Sequence, residues 1–155
     1  MPKHQNYVTG FMFGVDAYEN QVALILKQKP AWMKGFWNGI GGKIEDGEDP
    51  WGAMAREFAE ETSVHTTFKD WELCVVMKGN CEGGGTFTNY CFRSFSPRVN
   101  LVKTVEAEEV ARHDISLMGE SGYPIEAWNN LWWLVPMLSD RKKEHIIYPI
   151  TVGYK

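Results

Sequence analysis

Cysteine is scarce and odd in number. Cys74, Cys81 and Cys91 are the only three among 155 residues, and their spacing suits neither a disulfide framework nor a zinc site. They are expected as reduced core or sheet residues of a cytoplasmic protein. No apolar run approaches the roughly 20 residues of a membrane span, and the residues after Met1-Pro2-Lys3-His4 lack a signal-type apolar stretch. No membrane association is expected. Basic runs are also lacking, and a net charge of −4 disfavours nonspecific binding to nucleic acid. Repeats and low-complexity tracts are absent. His4, His65, His113 and His145 are scattered without a ligand spacing, and Gly83-Gly84-Gly85 is too short for a phosphate loop. The chain does have 44% apolar and 14% aromatic residues, seven of them tryptophan, enough for one domain over 1–155 with a substantial core.

Along the chain, Tyr7 to Gly14 and Gln21 to Lys27 are β-leaning runs that read as a hairpin across Asp16, Glu19 and Asn20. A polar-aromatic loop follows from Gln28 to Gly35, broken at Pro30. Asp49-Pro50 is a helix start, and Trp51, Met54, Ala55 and Phe58 recur at i, i+3, i+4 and i+7 as a buried stripe on a helix from Pro50 to Thr62. Trp71 to Lys78 and Phe87 to Phe95 form a second hairpin around the Gly83-Gly84-Gly85 tip, and Glu108 to Ile115 is a short strand. A second helix is expected from Pro124 to about Leu138, with Ile125, Trp128, Trp132 and Val135 inward, and an extended tail from His145 to Tyr154. Strands interrupted by two helices imply an α/β layered domain with a mixed sheet.

The densest chemistry lies between residues 42 and 64, as Gly42-x5-Glu48-x7-Arg56-Glu57-Phe58-x-Glu60-Glu61-x-Ser63-Val64. On a helix turning about 100° per residue, Glu57, Glu60 and Glu61 project within an arc of roughly 100°. Like charges at i, i+4 cost about 0.2–0.5 kcal/mol per pair. A stripe that accepts this repulsion, on a helix anchored by its other face, suits a cation, and hard divalent ions take carboxylate and phosphate oxygens.

The segment resembles the Nudix box, Gly-x5-Glu-x7-Arg-Glu-aliphatic-x-Glu-Glu-x-Gly-aliphatic, with two departures. Phe58 stands for the aliphatic residue and Ser63 for the final glycine, where a serine weakens the helix exit. The resemblance implies an α/β Nudix fold, a mixed β-sheet sandwiched between helices (α/β/α), and Mg2+-dependent hydrolysis of a nucleoside diphosphate-linked substrate. Mg2+, with Mn2+ as a substitute, would be held by Glu57, Glu60 and Glu61, with the Gly42 carbonyl as a further ligand. Glu57 is the candidate base for the attacking water. Glu106, Glu108 or Glu109 supplies the rival base or fourth ligand, and Glu108 is carried as a metal ligand. Arg56 and Glu48 are expected to pair and orient helix and loop. The partner implied is a small-molecule nucleotide, and a homodimer is compatible with the family.

Upstream, Trp37-Asn38-Gly39-Ile40-Gly41-Gly42-Lys43 is similar to the MutT-type branch that hydrolyses oxidised purine nucleoside triphosphates. The matching positions make Asn38 a base-edge contact, Trp32 a stacking face and Lys43 a substrate-binding residue. An amide offers both donor and acceptor to a purine edge; Asn38 could equally serve as a turn residue before Gly39, and Trp32 could pack on Pro30. That branch carries adjacent aspartates before its last helix, whereas this chain has Asn129-Asn130. The leading expectation is therefore cleavage of a (deoxy)nucleoside triphosphate, oxidised or ordinary, to the monophosphate and pyrophosphate. The alternatives are hydrolysis of ADP-ribose, NAD-like, dinucleotide or capped substrates, and a Nudix module that binds a nucleotide without cleaving it.

Overall fold

Residues 3–118, 126–142 and 146–154 are described by the computed structural model. Among them eight strands share one mixed sheet: β1 (His4–Phe13), β2 (Gln21–Leu26), β3 (Trp37–Asn38), β4 (Ile40–Lys43), β5 (Glu72–Asn80), β6 (Thr86–Phe95), β7 (Val110–Asp114) and β8 (Ile150–Gly153). The helices are α1 (Pro50–Thr62) and α2 (Leu131–Ser139). The strand order is β3-β2-β1-β6-β5-β8, with β4 beside β1 and β7 beside β2. The β1–β6 and β5–β8 pairings are parallel.

Strand β1 is central and apolar on both faces because both are covered. Val8 and Met12 pack in the core that includes Met54 and Phe58 of α1. Phe11 and Phe13 pack in the other core, with Leu131, Leu134, Val135 and Leu138 of α2. The sheet is thus sandwiched between helices, as the sequence resemblance implied.

Helix α1 begins where expected. The Asp49 carboxylate accepts from Gly52 N at 2.8 Å and Pro50 follows it, satisfying a donor that has no partner within the helix. Its buried stripe differs by one position. Ala53, Met54 and Phe58 are fully buried and Trp51 half-buried, whereas Ala55 is only half-covered. Trp51 closes the stripe edge-on against Phe92, with ring centroids 5.4 Å apart. The helix ends at Ser63, which takes the left-handed conformation at φ 65° and donates its N–H to Ala59 O at 2.9 Å. The exit normally made by glycine is preserved.

The expected first hairpin is present but short: β1 and β2 pair antiparallel at Phe13–Val22, because β4 takes the edge of β1 from Tyr7 to Gly10 while β2 turns to β7 and β3. Two expectations, both on the second helix, need correction. Helix α2 begins at Leu131, not Pro124, and buries Leu131, Leu134, Val135 and Leu138. Trp132 faces outward and Trp128 lies before the helix, held in extended pairing with Trp37; periodicity over a tryptophan-rich run did not mark the helix face. Pro124, Ile125 and His145 lie outside the described residues. The second hairpin is present, with β5 and β6 antiparallel around Gly83, Gly84 and Gly85, all at positive φ.

Ser63 holds a backbone conformation costing an L-residue on the order of 1 kcal/mol relative to glycine. Ser63→Gly should therefore raise unfolding free energy by about 0.5–1 kcal/mol, measured by urea denaturation. A loss of stability would show that the serine hydroxyl contributes more than its backbone costs.

Candidate active site

Arg56 organises the loop between β4 and α1. Its guanidinium grips Glu48 with two bonds, Nε to Oε2 and Nη2 to Oε1, both 2.8 Å. Nη2 also donates to the Lys43 carbonyl at 3.0 Å, and Nη1 reaches Glu57 at 3.0 Å and Glu60 at 3.2 Å. The Glu45 N–H closes the loop onto Glu48 at 2.9 Å. The Arg56 hydrogen bond holds the Glu48 carboxyl below its ordinary range, and Glu48 in turn raises the pKa of the guanidinium.

The three helix carboxylates lie at different depths: Glu60 is exposed, Glu57 half-buried and Glu61 buried. Burial raises the Glu57 carboxyl against the opposing pull of Arg56, with the charges of Glu60 and Glu106 adding to the rise. Burial, then Glu106 and Glu108, push Glu61 up to about 7, with Lys27 opposing. Glu61 Oε2 is buried and has no hydrogen-bond partner among the described residues. Gly42 lies against this cluster: a Cβ there would stand 2.5 Å from Glu57 Oε1. The chain approaches the carboxylate this closely because the position carries no side chain.

Of the three loop acids weighed from sequence, Glu108 is occupied elsewhere. It pairs with Lys27 Nζ at 2.9 Å and accepts the Gln28 and Lys29 N–H groups. Burial raises its carboxyl, but those bonds outweigh burial and the net shift is downward. Glu106 is the loop acid whose charge acts on both Glu57 and Glu61. Lys27 is the residue that sequence reasoning missed; it lies 81 residues from Glu108, and no local pattern marks it.

Among the described residues no three His, Cys, Asp or Glu side chains stand as a metal-holding cluster. Arg56 Nη1 takes the oxygens of Glu57 and Glu60 instead. The donor set nonetheless fits a hard divalent cation: it is all oxygen, and one member carries a buried oxygen with no partner.

On the strand side, Asn38 Oδ1 accepts the Gly39 N–H at 2.8 Å, the turn role weighed from sequence, which leaves the amide NH2 to a ligand. Trp32 is 58% exposed. Its ring lies 5.1 Å from that of Trp128, which meets Phe36 edge-on at 5.5 Å. Trp32 therefore packs on Trp128 and keeps an open face. The Lys43 side chain is exposed beside Gly42.

A family profile described as NUDIX domain matches residues 9–118. The chain belongs to the Nudix family and is a Nudix hydrolase. The family acts on small nucleotide substrates with the help of divalent cations. Sequence comparison with curated proteins finds no match. Similar folds include a MutT protein from Bacillus halodurans, with a TM-score of 0.68 at 18% identity over 97% of this chain and 90% of that one. A MutT structure described for Aliivibrio salmonicida and Vibrio cholerae has a TM-score of 0.59 at 20% identity, over 79% and 89%. The Escherichia coli dihydroneopterin triphosphate pyrophosphohydrolase has a TM-score of 0.52 at 18% identity, over 70% and 77%. At these identities the likeness is one of fold.

The Glu61 shift makes stability depend on pH. A carboxyl raised from 4.5 to about 7 on folding binds more protons in the native state through that window. Its contribution is complete below about 4.5 and is lost as pH rises through about 7, a change on the order of 3 kcal/mol. In chelator, wild type should lose about that much more stability than Glu61→Gln between pH 5 and pH 8, by urea unfolding. Parallel pH profiles for the two proteins would show that Glu61 titrates normally.

Proposed function

We propose that the protein is a Mg2+-dependent pyrophosphohydrolase that converts a (deoxy)nucleoside triphosphate to the monophosphate and pyrophosphate. The observation that carries this reading is the buried oxygen of Glu61, partnerless among the described residues, one helical turn from Glu57, whose carboxylate lies against the Gly42 backbone. Glu57, Glu60 and Glu61, with the Gly42 carbonyl and Glu106, form the ligand set we assign. Glu106 replaces Glu108 in that set, since the Glu108 carboxylate is committed to Lys27 and two backbone donors. A divalent cation held there would supply charge neutralisation on the phosphates.

The side chains supply the rest. Burial makes Glu57 a stronger base than a surface glutamate, suited to taking a proton from the attacking water. Arg56 holds Glu48 and the Lys43 carbonyl, fixing the loop against the helix. On cation binding it would release Glu57 and Glu60 while keeping its bidentate grip on Glu48. Lys43, exposed at the end of β4, is placed by sequence next to Gly42 and suits a phosphate oxygen. The open face of Trp32, backed by Trp128, suits stacking on a base; an aromatic platform favours a nucleotide over an aliphatic phosphate ester. The free thiols Cys74, Cys81 and Cys91 accord with a reducing, cytoplasmic setting.

The test is a panel of canonical and oxidised dNTPs, ADP-ribose and dinucleoside polyphosphates with Mg2+ or Mn2+, with products identified by phosphorus NMR. Pyrophosphate and a monophosphate are expected; AMP with a phosphorylated sugar would move the substrate class to ADP-ribose. Glu57→Gln should keep the wild-type circular dichroism and lose roughly 100-fold or more in kcat. Turnover within a few-fold of wild type would remove Glu57 from both the metal and the base roles.

A further inference from the structure

Unlike α1, helix α2 has no charged residue, and Ser139 is its one hydrophilic side chain. Leu131, Leu134, Val135 and Leu138 fill the core, yet the opposite face is apolar too. Trp132 is 43% exposed, Pro136 is exposed, and Trp133 and Met137 flank them half-buried. Even the residue that opens the helix adds nothing polar outside. Asn130 makes no capping bond; its amide nitrogen turns inward to Met77 Sδ at 3.7 Å and its oxygen accepts from Tyr154 Oη at 3.0 Å. Ile147 is 87% exposed and precedes Tyr148, whose hydroxyl donates to the Met137 carbonyl at 3.4 Å, so the apolar surface continues past the end of the helix. A helix that is apolar all round is ordinarily covered on every side.

Two features of this face are self-complementary. Pro136 has no N–H, so the Trp132 carbonyl lacks the donor of a regular helix. The Trp132 indole N–H has no hydrogen-bond partner among the described residues. One exposed residue therefore offers both an acceptor and a donor. The charges at the two ends of the helix also oppose each other. Exposed Glu126 precedes α2, and exposed Arg141 and Lys142 follow it. The nearby acids are spent: Asp140 accepts the Lys142 N–H at 2.9 Å, and Glu72 accepts from Arg93 at 2.8 Å. Arg93 also donates to the Leu138 and Asp140 carbonyls, adding positive charge at the C-terminal end. An antiparallel copy of the same helix would set basic end against acidic end, with the helix dipoles opposed favourably.

We propose that the outer face of α2 binds a second copy of this chain, the two helices packing antiparallel about a two-fold axis with Trp132 of each copy against Pro136 of the other. Such a contact is isologous: one patch meets itself and the assembly closes at two subunits. The indole N–H of each copy meets the freed Trp132 carbonyl of the other, and Glu126 of each faces Arg141 of the other. A net charge of −4 makes two copies repel over most of their surface, so an uncharged face with opposite charges at its ends is where they approach at least cost. Tryptophan is also the residue type that most often dominates interface energy. A lipid surface fits this face less well, because the unmet backbone acceptor gains no partner in hydrocarbon. The proposal is independent of the nucleotide reading.

Sedimentation equilibrium of the full chain, from micromolar to near-millimolar concentration, tests the proposal. Wild type should dimerise within that range. Trp132→Glu places like charges together near the axis and should raise the dissociation constant about 30-fold or more. Arg141→Glu sets two glutamates against each other at each end and should weaken the dimer about tenfold. Adding Glu126→Lys to Arg141→Glu should restore it. Within one copy a nine-residue helix, about 14 Å long, separates these two positions, so the rescue reports a contact between copies. It also keeps the test valid if circular dichroism shows that Trp132→Glu does not fold. A wild type that stays monomeric, a dimer left intact by the folded single variants, or a charge swap without rescue would overturn the proposal. Monomeric wild type that sediments with phosphatidylcholine vesicles, and loses them in Trp132→Glu, would overturn it in favour of a lipid surface.

Discussion

The geometry of the carboxylate site depends on the fork of Arg56. A planar guanidinium with donors on two edges can satisfy a carboxylate bidentately and still reach other acceptors. Here it joins Glu48, the Lys43 carbonyl, Glu57 and Glu60, tying the end of β4, the following loop and the C-terminal half of α1 into one unit. The pair is half-buried, so it is screened less than an exposed ion pair. Without this cation Glu48, Glu57 and Glu60 would face one another with only water to separate their charges. The same contacts let α1 carry an acidic face while its opposite face is locked into the core by Met54 and Phe58.

The sheet separates two kinds of chemistry. On the α1 side lie Glu57 and Glu61, whose burial and neighbouring charges raise their pKa values, and one oxygen of Glu61 has no partner among the described residues. On the α2 side lies a row of amides and hydroxyls whose acceptors are already used. The short strands β3 and β4 form the border between them, with Asn38 and Gly39 at one end and Gly42 against Glu57 at the other. The carboxylates of α1 are held in place because the helix is packed on a full core.

Much of this was legible in the residues. Asp49-Pro50 marked the start of α1, the apolar spacing marked its buried face to within one position, and the fixed spacing from Gly42 to Val64 identified the family. The failures have physical causes. The first hairpin is present but its pairing is short, because a third strand, β4, competes for the same edge of β1. The start of α2 was misplaced because tryptophans at helical spacing also suit an extended segment, and Trp128 bonds to Trp37 through its backbone while its ring packs tilted against that of Trp32.

Sequence by itself determined the residue types at fixed offsets on one helix and its leading loop, since a helix converts spacing into a face without help from the rest of the chain. Only the tertiary structure decided that Glu108 is consumed by Lys27, that Glu106 rather than Glu108 acts on both Glu57 and Glu61, and that Asn130 turns from its helix to the sheet. Those facts join residues far apart in the chain. They depend on which strands became neighbours and on how deeply each carboxylate was buried, and neither is encoded in local spacing.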